Sequence, residues 1–395
     1  MPILGLSTKG PSAPAHFNLE SLIRPNILAL QPYRCARDDY SSGMLLDANE
    51  NAIGAALPAN FVPGLEAEDV SALNRYPSPT HDELKRRIAK LRNVPDEKWV
   101  FLGVGSDEVI DMLYRCLCVP AKDNILTTPP TYGMYGVCAQ INDVGIVKVP
   151  LVTKNGAYQL DEAAMDAAFV ANPDLKMVFI CSPGNPTGTL IPLDVIRRVA
   201  ENTKFKGLVV VDEAYVDFAP EGTSACSLVT QYANVCVMQT LSKSFGLASI
   251  RLGFLVGSPE LVQILTNAKA PYNVSLPTAA IGLQAFSEEG LAIMAANVRV
   301  LNANRDALIA EITQIPNIGR VLGGNHANFI VVEILKDGKP DTPRAKAVYT
   351  EMAENRGVVV RFRGSEIGCE GCLRITVGTE DENKTLLARL RELLV

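Results

Sequence analysis

A lysine bracketed by hydroxyls, in the stretch Thr240-Leu241-Ser242-Lys243-Ser244-Phe245-Gly246, is the residue of this chain best equipped for covalent chemistry. It follows the apolar run Val235–Met238, so it stands at the end of an expected strand. Alone, such a lysine reads equally well as a solvated surface charge. Arg251 shifts that balance. The hydroxyls of Thr240 and Ser242 together with a guanidinium make an anion site, because arginine presents a planar fork of donors to a phosphate. A lysine beside a bound phosphate ester points to a Schiff base with a phosphorylated aldehyde cofactor.

Four further motifs bear on the same chemistry. Asp212 closes the buried run in Val209-Val210-Val211-Asp212-Glu213-Ala214-Tyr215. A carboxylate there is costly unless paired; a pyridinium nitrogen is one partner that would keep it ionised, and capping the next helix is the plain alternative. Tyr215 could reach the phenolic oxygen of the same ring, or be an ordinary half-buried aromatic. The loop Ser182-Pro183-Gly184-Asn185-Pro186-Thr187-Gly188 is stiffened by its prolines and glycines and offers the amide of Asn185. Gly103-Val104-Gly105-Ser106-Asp107 lacks the dinucleotide fingerprint, yet the main-chain N–H groups of Gly105, Ser106 and Asp107 at a helix start suit a phosphate. Its plain alternative is a strand-to-helix turn capped by Ser106. Tyr132, in Pro129-Pro130-Thr131-Tyr132-Gly133-Met134-Tyr135, could lie flat against a planar ring or sit in the core.

These residues need elements to hold them. Short apolar runs, Trp99–Leu102, Ile125–Thr127, Met177–Cys181, Leu208–Val211, Val235–Met238 and Gly253–Val256, alternate with helical patterns. That alternation predicts an α/β fold whose parallel strands are buried on both faces, with ligand residues gathered beyond their carboxyl ends. A helix from about Thr80, with Glu83 completing a capping box, precedes them. A long helical pattern from Glu288 to Glu311 leads away. Expected strands Phe329–Ile334, Val358–Arg361 and Leu373–Val377 and a closing helix Glu380–Leu394 then form a smaller α/β unit. The expected division is an N-terminal arm at 1–45, a larger unit at 46–290 and a smaller one at 291–395, with the arm packing near the last.

Composition excludes several classes. Hydrophobic residues make up 48% and charged residues 20%, as in ordinary globular proteins. A net charge of -6 points to no nucleic-acid or anionic-membrane partner, and no apolar run approaches the ~20 residues of a membrane span. No secretory signal is expected at the N-terminus. Nine scattered cysteines suit reduced thiols in the cytoplasm. Cys369 and Cys372 form a C-x-x-C without a second pair, and the histidines are His16, His81 and His326, so no metal site is expected.

With these motifs assembled in order, the chain resembles the fold-type I pyridoxal-phosphate aminotransferases from about Arg24 to its end. The resemblance is carried by the Ser182–Gly188 loop, by Asp212-Glu213-Ala214-Tyr215, and by the run from Ser242 to Gly253. It is narrower, toward the histidinol-phosphate aminotransferases, in Gln31-Pro32-Tyr33, Leu46-Asp47-Ala48-Asn49-Glu50-Asn51, Asn74-Arg75-Tyr76-Pro77 and Cys372-Leu373-Arg374-Ile375-Thr376-Val377-Gly378. The resemblance implies a large pyridoxal-phosphate-binding domain on a mainly parallel sheet and a smaller α/β domain. It implies that Lys243 holds the cofactor covalently and shuttles a proton, that Asp212 pairs with the ring nitrogen, and that Tyr215 and Asn185 hold the phenolic oxygen. Tyr132 would stack on the ring, and Gly105, Ser106, Asp107, Thr240, Ser242 and Arg251 would hold the phosphate. Tyr76 would reach in from a neighbouring subunit of a homodimer with shared sites. Arg374 would bind the carboxylate of glutamate and the phosphate of an amino-alcohol substrate. The residues agree, since an arginine in an apolar strand needs an anion or an exit to solvent. Arg361 resembles a second anion-binding arginine, its plain alternative being a surface charge; Tyr33 and Asn49 would line the substrate pocket. The implied reaction exchanges an amino group between histidinol phosphate and 2-oxoglutarate, giving imidazole-acetol phosphate and glutamate. Alternatives are an aromatic or broad-specificity aminotransferase, a decarboxylase of a phosphorylated amino acid, and a catalytically silent relative.

Overall fold

Seven strands form the larger sheet: β1 (Val100–Val104), β2 (Asn124–Thr127), β3 (Gly145–Lys148), β4 (Leu175–Cys181), β5 (Leu208–Asp212), β6 (Val235–Thr240) and β7 (Leu252–Val256). Their spatial order is β1-β7-β6-β5-β4-β2-β3. This is a computed structural model that describes residues 3–32 and 73–394, so Tyr33, Asn49 and the Leu46–Asn51 motif lie outside it. The neighbours from β3 through β2, β4 and β5 to β6 run parallel. Strand β7 is the exception in this mainly parallel sheet, because it runs antiparallel to both β6 and β1.

Alternation along each central strand explains why these runs are almost wholly apolar. In β5, Val209 and Val211 enter one hydrophobic layer, while Leu208 and Val210 enter the other. The first layer is closed by Leu84 and Ile88 of the helix Asp82–Arg92, Phe169 of Glu162–Ala171, and Ile196 and Val199 of Leu193–Glu201. The second is closed by Ile110, Leu113 and Leu117 of the helix Gly105–Leu117 and by Leu261 and Leu265 of Pro259–Ala268. A sheet covered on both faces has no polar face to present, so the strands read as continuous hydrophobic stretches.

A second sheet of five strands comprises β8 (Ile318–Leu322), β9 (Phe329–Lys336), β10 (Lys339–Pro340), β11 (Arg361–Phe362) and β12 (Cys372–Thr376). It runs β10-β9-β12-β11, with β8 also on β9, and all its pairs are antiparallel. The helix Glu380–Leu394 covers it with Leu386, Leu387 and Leu390, and the helix Thr342–Asn355 with Val348 and Met352. The 25-residue helix Glu288–Ile312 leads into this sheet, and the expected division at 290/291 falls within its first turn.

Three local expectations are corrected. The helix at Asp82 has no capping box: its N-cap is His81, in the left-handed region at φ 51°, while Ser78 Oγ accepts from the Thr80 and His81 N–H groups. Glu83 pairs with Arg86 and Arg87 instead. The expected strand Val358–Arg361 shrinks to the two residues of β11, because the Val358 N–H closes the preceding helix on the Met352 carbonyl. The arm, expected near the smaller unit, buries Phe17, Leu22, Ile23 and Leu28 in the second layer of the larger sheet. Among the described residues, no helix is long and apolar enough to cross a membrane.

The β1–β7 pairing brings the turn after β1 against β7. A Cβ added at Gly253 would lie 2.4 Å from both the Gly105 carbonyl carbon and the Ser106 nitrogen. Both are backbone atoms that cannot rotate aside, and overpacking of this kind costs about 1–3 kcal/mol. Gly253→Ala therefore lowers the melting temperature and displaces the Ser106 turn, weakening the affinity of the expected phosphate site in a titration of the purified protein. Wild-type melting and affinity together would refute the close approach.

Candidate active site

The carboxyl ends of β1, β2, β4, β5 and β6 open on one cavity of about 670 Å³. The reversed β7 contributes to the same edge through its amino end: Arg251 precedes Leu252 and lines the cavity. Antiparallel placement is what puts this arginine beside Ser106, Thr240 and Ser242, residues that follow or close parallel strands.

At this end the groups are arranged for a phosphate. Gly105 has φ +72°, and a Cβ there would lie 2.5 Å from Arg251 Nη2, so only glycine lets the guanidinium lie against the turn. The helix Gly105–Leu117 starts at this point, with no side-chain cap on its first N–H groups. Ser106 is thus inside the first turn rather than the N-cap, which is Val104. Arg251, itself at φ 53°, lies 3.5 Å from Asp107 Oδ2. Thr240 Oγ1 donates to Ser242 Oγ at 2.9 Å. Free helix N–H groups, three hydroxyls and a guanidinium fit a phosphate monoester.

Deeper in the cavity, Asp212 closes β5 at 3% exposure. Its Oδ1 accepts from the Ala214 N–H at 3.1 Å and its Oδ2 from the Tyr135 hydroxyl at 2.7 Å. Burial raises its pKa, and the Tyr135 bond opposes that rise. A cationic ring nitrogen would supply the charge partner that this carboxylate lacks. Glu213 points the other way. It accepts from Ser224 Oγ, the Ala225 N–H and Gln239 Nε2, and burial pushes its carboxyl up to about 7. The two acids of Asp212-Glu213 therefore divide into one that faces the cavity and one that anchors the turn.

Lys243 also lines the cavity, its Nζ 5.6 Å from the centre of the Tyr215 ring. Burial lowers its pKa, with Arg374 adding to the effect. Tyr215 is buried against Phe329, and Tyr132 donates from its hydroxyl to Asp107 Oδ1 at 3.0 Å. Asn185 Oδ1 accepts from Arg374 Nη1 at 2.6 Å, which leaves the amide N–H groups of Asn185 as its donors. Arg361 and Arg374 come from the smaller sheet, where they are direct cross-strand partners.

The cavity thus gathers Ser106, Asp107, Tyr132, Asn185, Asp212, Tyr215, Thr240, Ser242, Lys243, Arg251, Arg361 and Arg374, with Gly105 packed behind Arg251. Tyr76 is not among its lining residues; it is 52% exposed and stacks on Tyr272 with ring centres 4.6 Å apart. Sequence reasoning missed Tyr135 and Arg363. Tyr135 lies three residues after Tyr132 on the helix that opens at Met134, and that spacing was the available signal. Taken together, the phosphate cradle, the buried carboxylate and the enclosed lysine fit pyridoxal phosphate.

The profile of the aminotransferase class I and II family matches residues 41–390. The chain belongs to this family. Among its relatives, the histidinol-phosphate aminotransferase of Candida maltosa is 47% identical over 390 residues, covering 96% of this chain and 98% of that one. The Saccharomyces cerevisiae enzyme of the same name is 44% identical over 391 residues, again covering 96% and 98%. Of solved structures, the histidinol-phosphate aminotransferase of Sinorhizobium meliloti in complex with pyridoxal-5'-phosphate aligns with a TM-score of 0.71 at 22% identity, over 88% of this chain and 89% of that one. At that identity the likeness establishes the fold, a fold-type I architecture with a mainly parallel central sheet.

Removing the Tyr135 hydroxyl tests the support of Asp212. A hydrogen bond to a charged group is worth about 1.5–3 kcal/mol, so Tyr135→Phe should cut aminotransferase turnover roughly ten- to hundredfold. Because that bond holds the Asp212 pKa down, the acid limb of the pH–rate profile moves to higher pH. An unmoved acid limb with wild-type kcat would rule out this role.

Proposed function

We infer that this family member is a pyridoxal-phosphate-dependent histidinol-phosphate transaminase, exchanging an amino group between histidinol phosphate and 2-oxoglutarate to give imidazole-acetol phosphate and glutamate. The observation that carries the reading is that one cavity joins the lysine–aspartate–phosphate-cradle end to a cross-strand pair of arginines. The relatives at 44–47% identity, both named for this reaction, support it. The reading makes the reaction a step of histidine biosynthesis.

Ser106, Thr240, Ser242 and Arg251 would hold the phosphate of the cofactor, Asp212 its ring nitrogen, and Asn185 and Tyr215 its phenolic oxygen, while Tyr132 would cover the ring. The bound cofactor supplies an electron sink that lets a proton leave substrate Cα and carries the amino group between the two half-reactions. Lys243 moves that proton. Its amine must be neutral to accept it, and enclosure beside Arg374 favours the neutral form. Arg361 and Arg374 bind the anionic end of each substrate and so orient Cα toward Nζ. Tyr33 and Asn49 complete the pocket in this reading. An aromatic aminotransferase would share the cofactor end and bind the same dicarboxylate, so the relatives at 44–47% identity are what favour the phosphorylated substrate.

Tyr76 reaches the site only from a second copy of the chain, and we place it there in a homodimer with shared sites. Residues 46–290 act as the cofactor-holding unit and 291–395 supply the arginine face. The described cysteines are all free thiols, which supports a cytoplasmic location.

Purified protein should convert histidinol phosphate and 2-oxoglutarate to glutamate. Lys243→Ala should abolish this turnover and the visible absorbance of the lysine-bound cofactor; a cofactor that borohydride still fixes to the variant would sink the assignment. Sharing is tested by mixing Lys243→Ala with Tyr76→Phe under conditions of subunit exchange. Recovered activity is expected, because one site of each mixed dimer then carries neither change, and its absence despite exchange would argue for self-contained sites.

A further inference from the structure

The arginine face of the cavity holds more positive charge than its described partners neutralise. In the β11–β12 pair, Arg361 lies directly opposite Arg374. Arg363 follows one alternation later, and its N–H bonds the Cys372 carbonyl at 2.9 Å, so the ladder continues past β11. Residues two apart share a face of a strand, which puts Arg361, Arg363 and Arg374 on the same side, and all three line the cavity. Like charges directly opposite one another are destabilising unless something bridges them.

The described partners are few. Arg374 Nη1 donates to Asn185, a neutral amide, and Arg363 Nη1 donates to Glu366 Oε1 at 2.6 Å. The Nε atoms of both Arg363 and Arg374 are buried without a hydrogen-bond partner. Three guanidiniums thus meet one carboxylate. An unphosphorylated amino alcohol such as histidinol would balance neither of the two remaining charges. A phosphate monoester, near two negative charges and rich in acceptor oxygens, would balance both.

We propose that Arg363 is a specificity-determining residue that binds the phosphate of the phosphorylated substrate, so that the enzyme prefers phosphorylated amino compounds over unphosphorylated ones. The proposal rests on the reaction inferred above and adds a third arginine to the two that the sequence indicated. Glu366 fixes the guanidinium through Nη1 at 2.6 Å, so the side chain is held where it lines the cavity. The two arginines are differently tethered, Arg374 to the Asn185 loop and Arg363 within its own segment.

Wild type, Arg363→Gln and Arg363→Lys are compared as holoenzymes with histidinol phosphate and with histidinol, each against 2-oxoglutarate. The ratio of kcat/KM for the phosphorylated over the unphosphorylated compound falls at least tenfold in Arg363→Gln, mainly through KM. Arg363→Lys, which keeps charge but loses the planar fork, falls between. Inorganic phosphate, as a competitive inhibitor, binds Arg363→Gln more weakly by a similar factor. Retained cofactor absorbance reports correct folding, and Arg363→Lys carries the test if the glutamine variant fails to fold. An unchanged ratio with unchanged phosphate inhibition overturns the role of Arg363 while leaving the reaction intact. No turnover of histidinol phosphate by wild type overturns the reaction itself, and the phosphate inhibition series then decides the arginine alone.

Discussion

Burying the carboxylate of Asp212 at the end of a central strand is the constraint around which the larger unit is arranged. An ion of this size carries a penalty of about several kcal/mol when taken out of water without compensation. Two donors meet it, the Tyr135 hydroxyl and the Ala214 N–H. Tyr135 is itself pinned, because its ring stacks on Phe179 at 4.6 Å and its carbonyl accepts from the Tyr114 hydroxyl at 2.8 Å. The support of Asp212 therefore runs into the hydrophobic layer beneath the sheet, and the carboxylate cannot swing toward solvent to relieve its charge. Such a site is stabilised most by a cation placed at the open side, which is what a protonated ring nitrogen provides.

The direction of β7 matters as much as the parallel strands beside it. Parallel strands deliver residues to an edge only from their carboxyl ends. Reversing β7 brings an amino end to that edge, and with it Arg251, at φ 53° and lying against Gly105, where a Cβ would push the guanidinium aside. The same reversal pairs β7 with β1 and packs Gly253 against the Gly105–Ser106 backbone. One antiparallel strand thus sets both the guanidinium and the helix start that make up the phosphate cradle.

Much of this was legible in the chain itself. The motifs at strand ends converge on one cavity because covered strands read as apolar runs and their termini are marked by Lys243, Asp212, Asn185 and Ser106. The reversal of β7 was not legible, since Leu252–Val256 is as apolar as its parallel neighbours and burial on both faces leaves no direction signal. The capping box failed at Thr80 because His81 takes a left-handed turn and binds the Val274 carbonyl at 2.9 Å, a long-range contact invisible in a local window. Tyr135 escaped notice because a tyrosine on a helix next to a buried layer looks like core, and it is core except for its hydroxyl. Arg363 carries no signal of its own in Arg361-Phe362-Arg363, because a two-residue strand is too short to show that alternate residues face a cavity.

The smaller sheet then sets what the site can accept. A lysine, an aspartate and a phosphate cradle serve many amino-group transfers, so substrate choice must come from the other wall. Here that wall is an antiparallel strand pair whose register places two arginines opposite one another. Arg374 feels this directly, for burial and the nearby Arg363 guanidinium both lower its pKa. An anion entering the cavity offsets the repulsion between these guanidiniums as it makes its own contacts. A dianion gains more from this than a monoanion. The preference for a phosphorylated substrate then follows from strand register, which sets the side chains of Arg361 and Arg374 on one face of the β11–β12 pair.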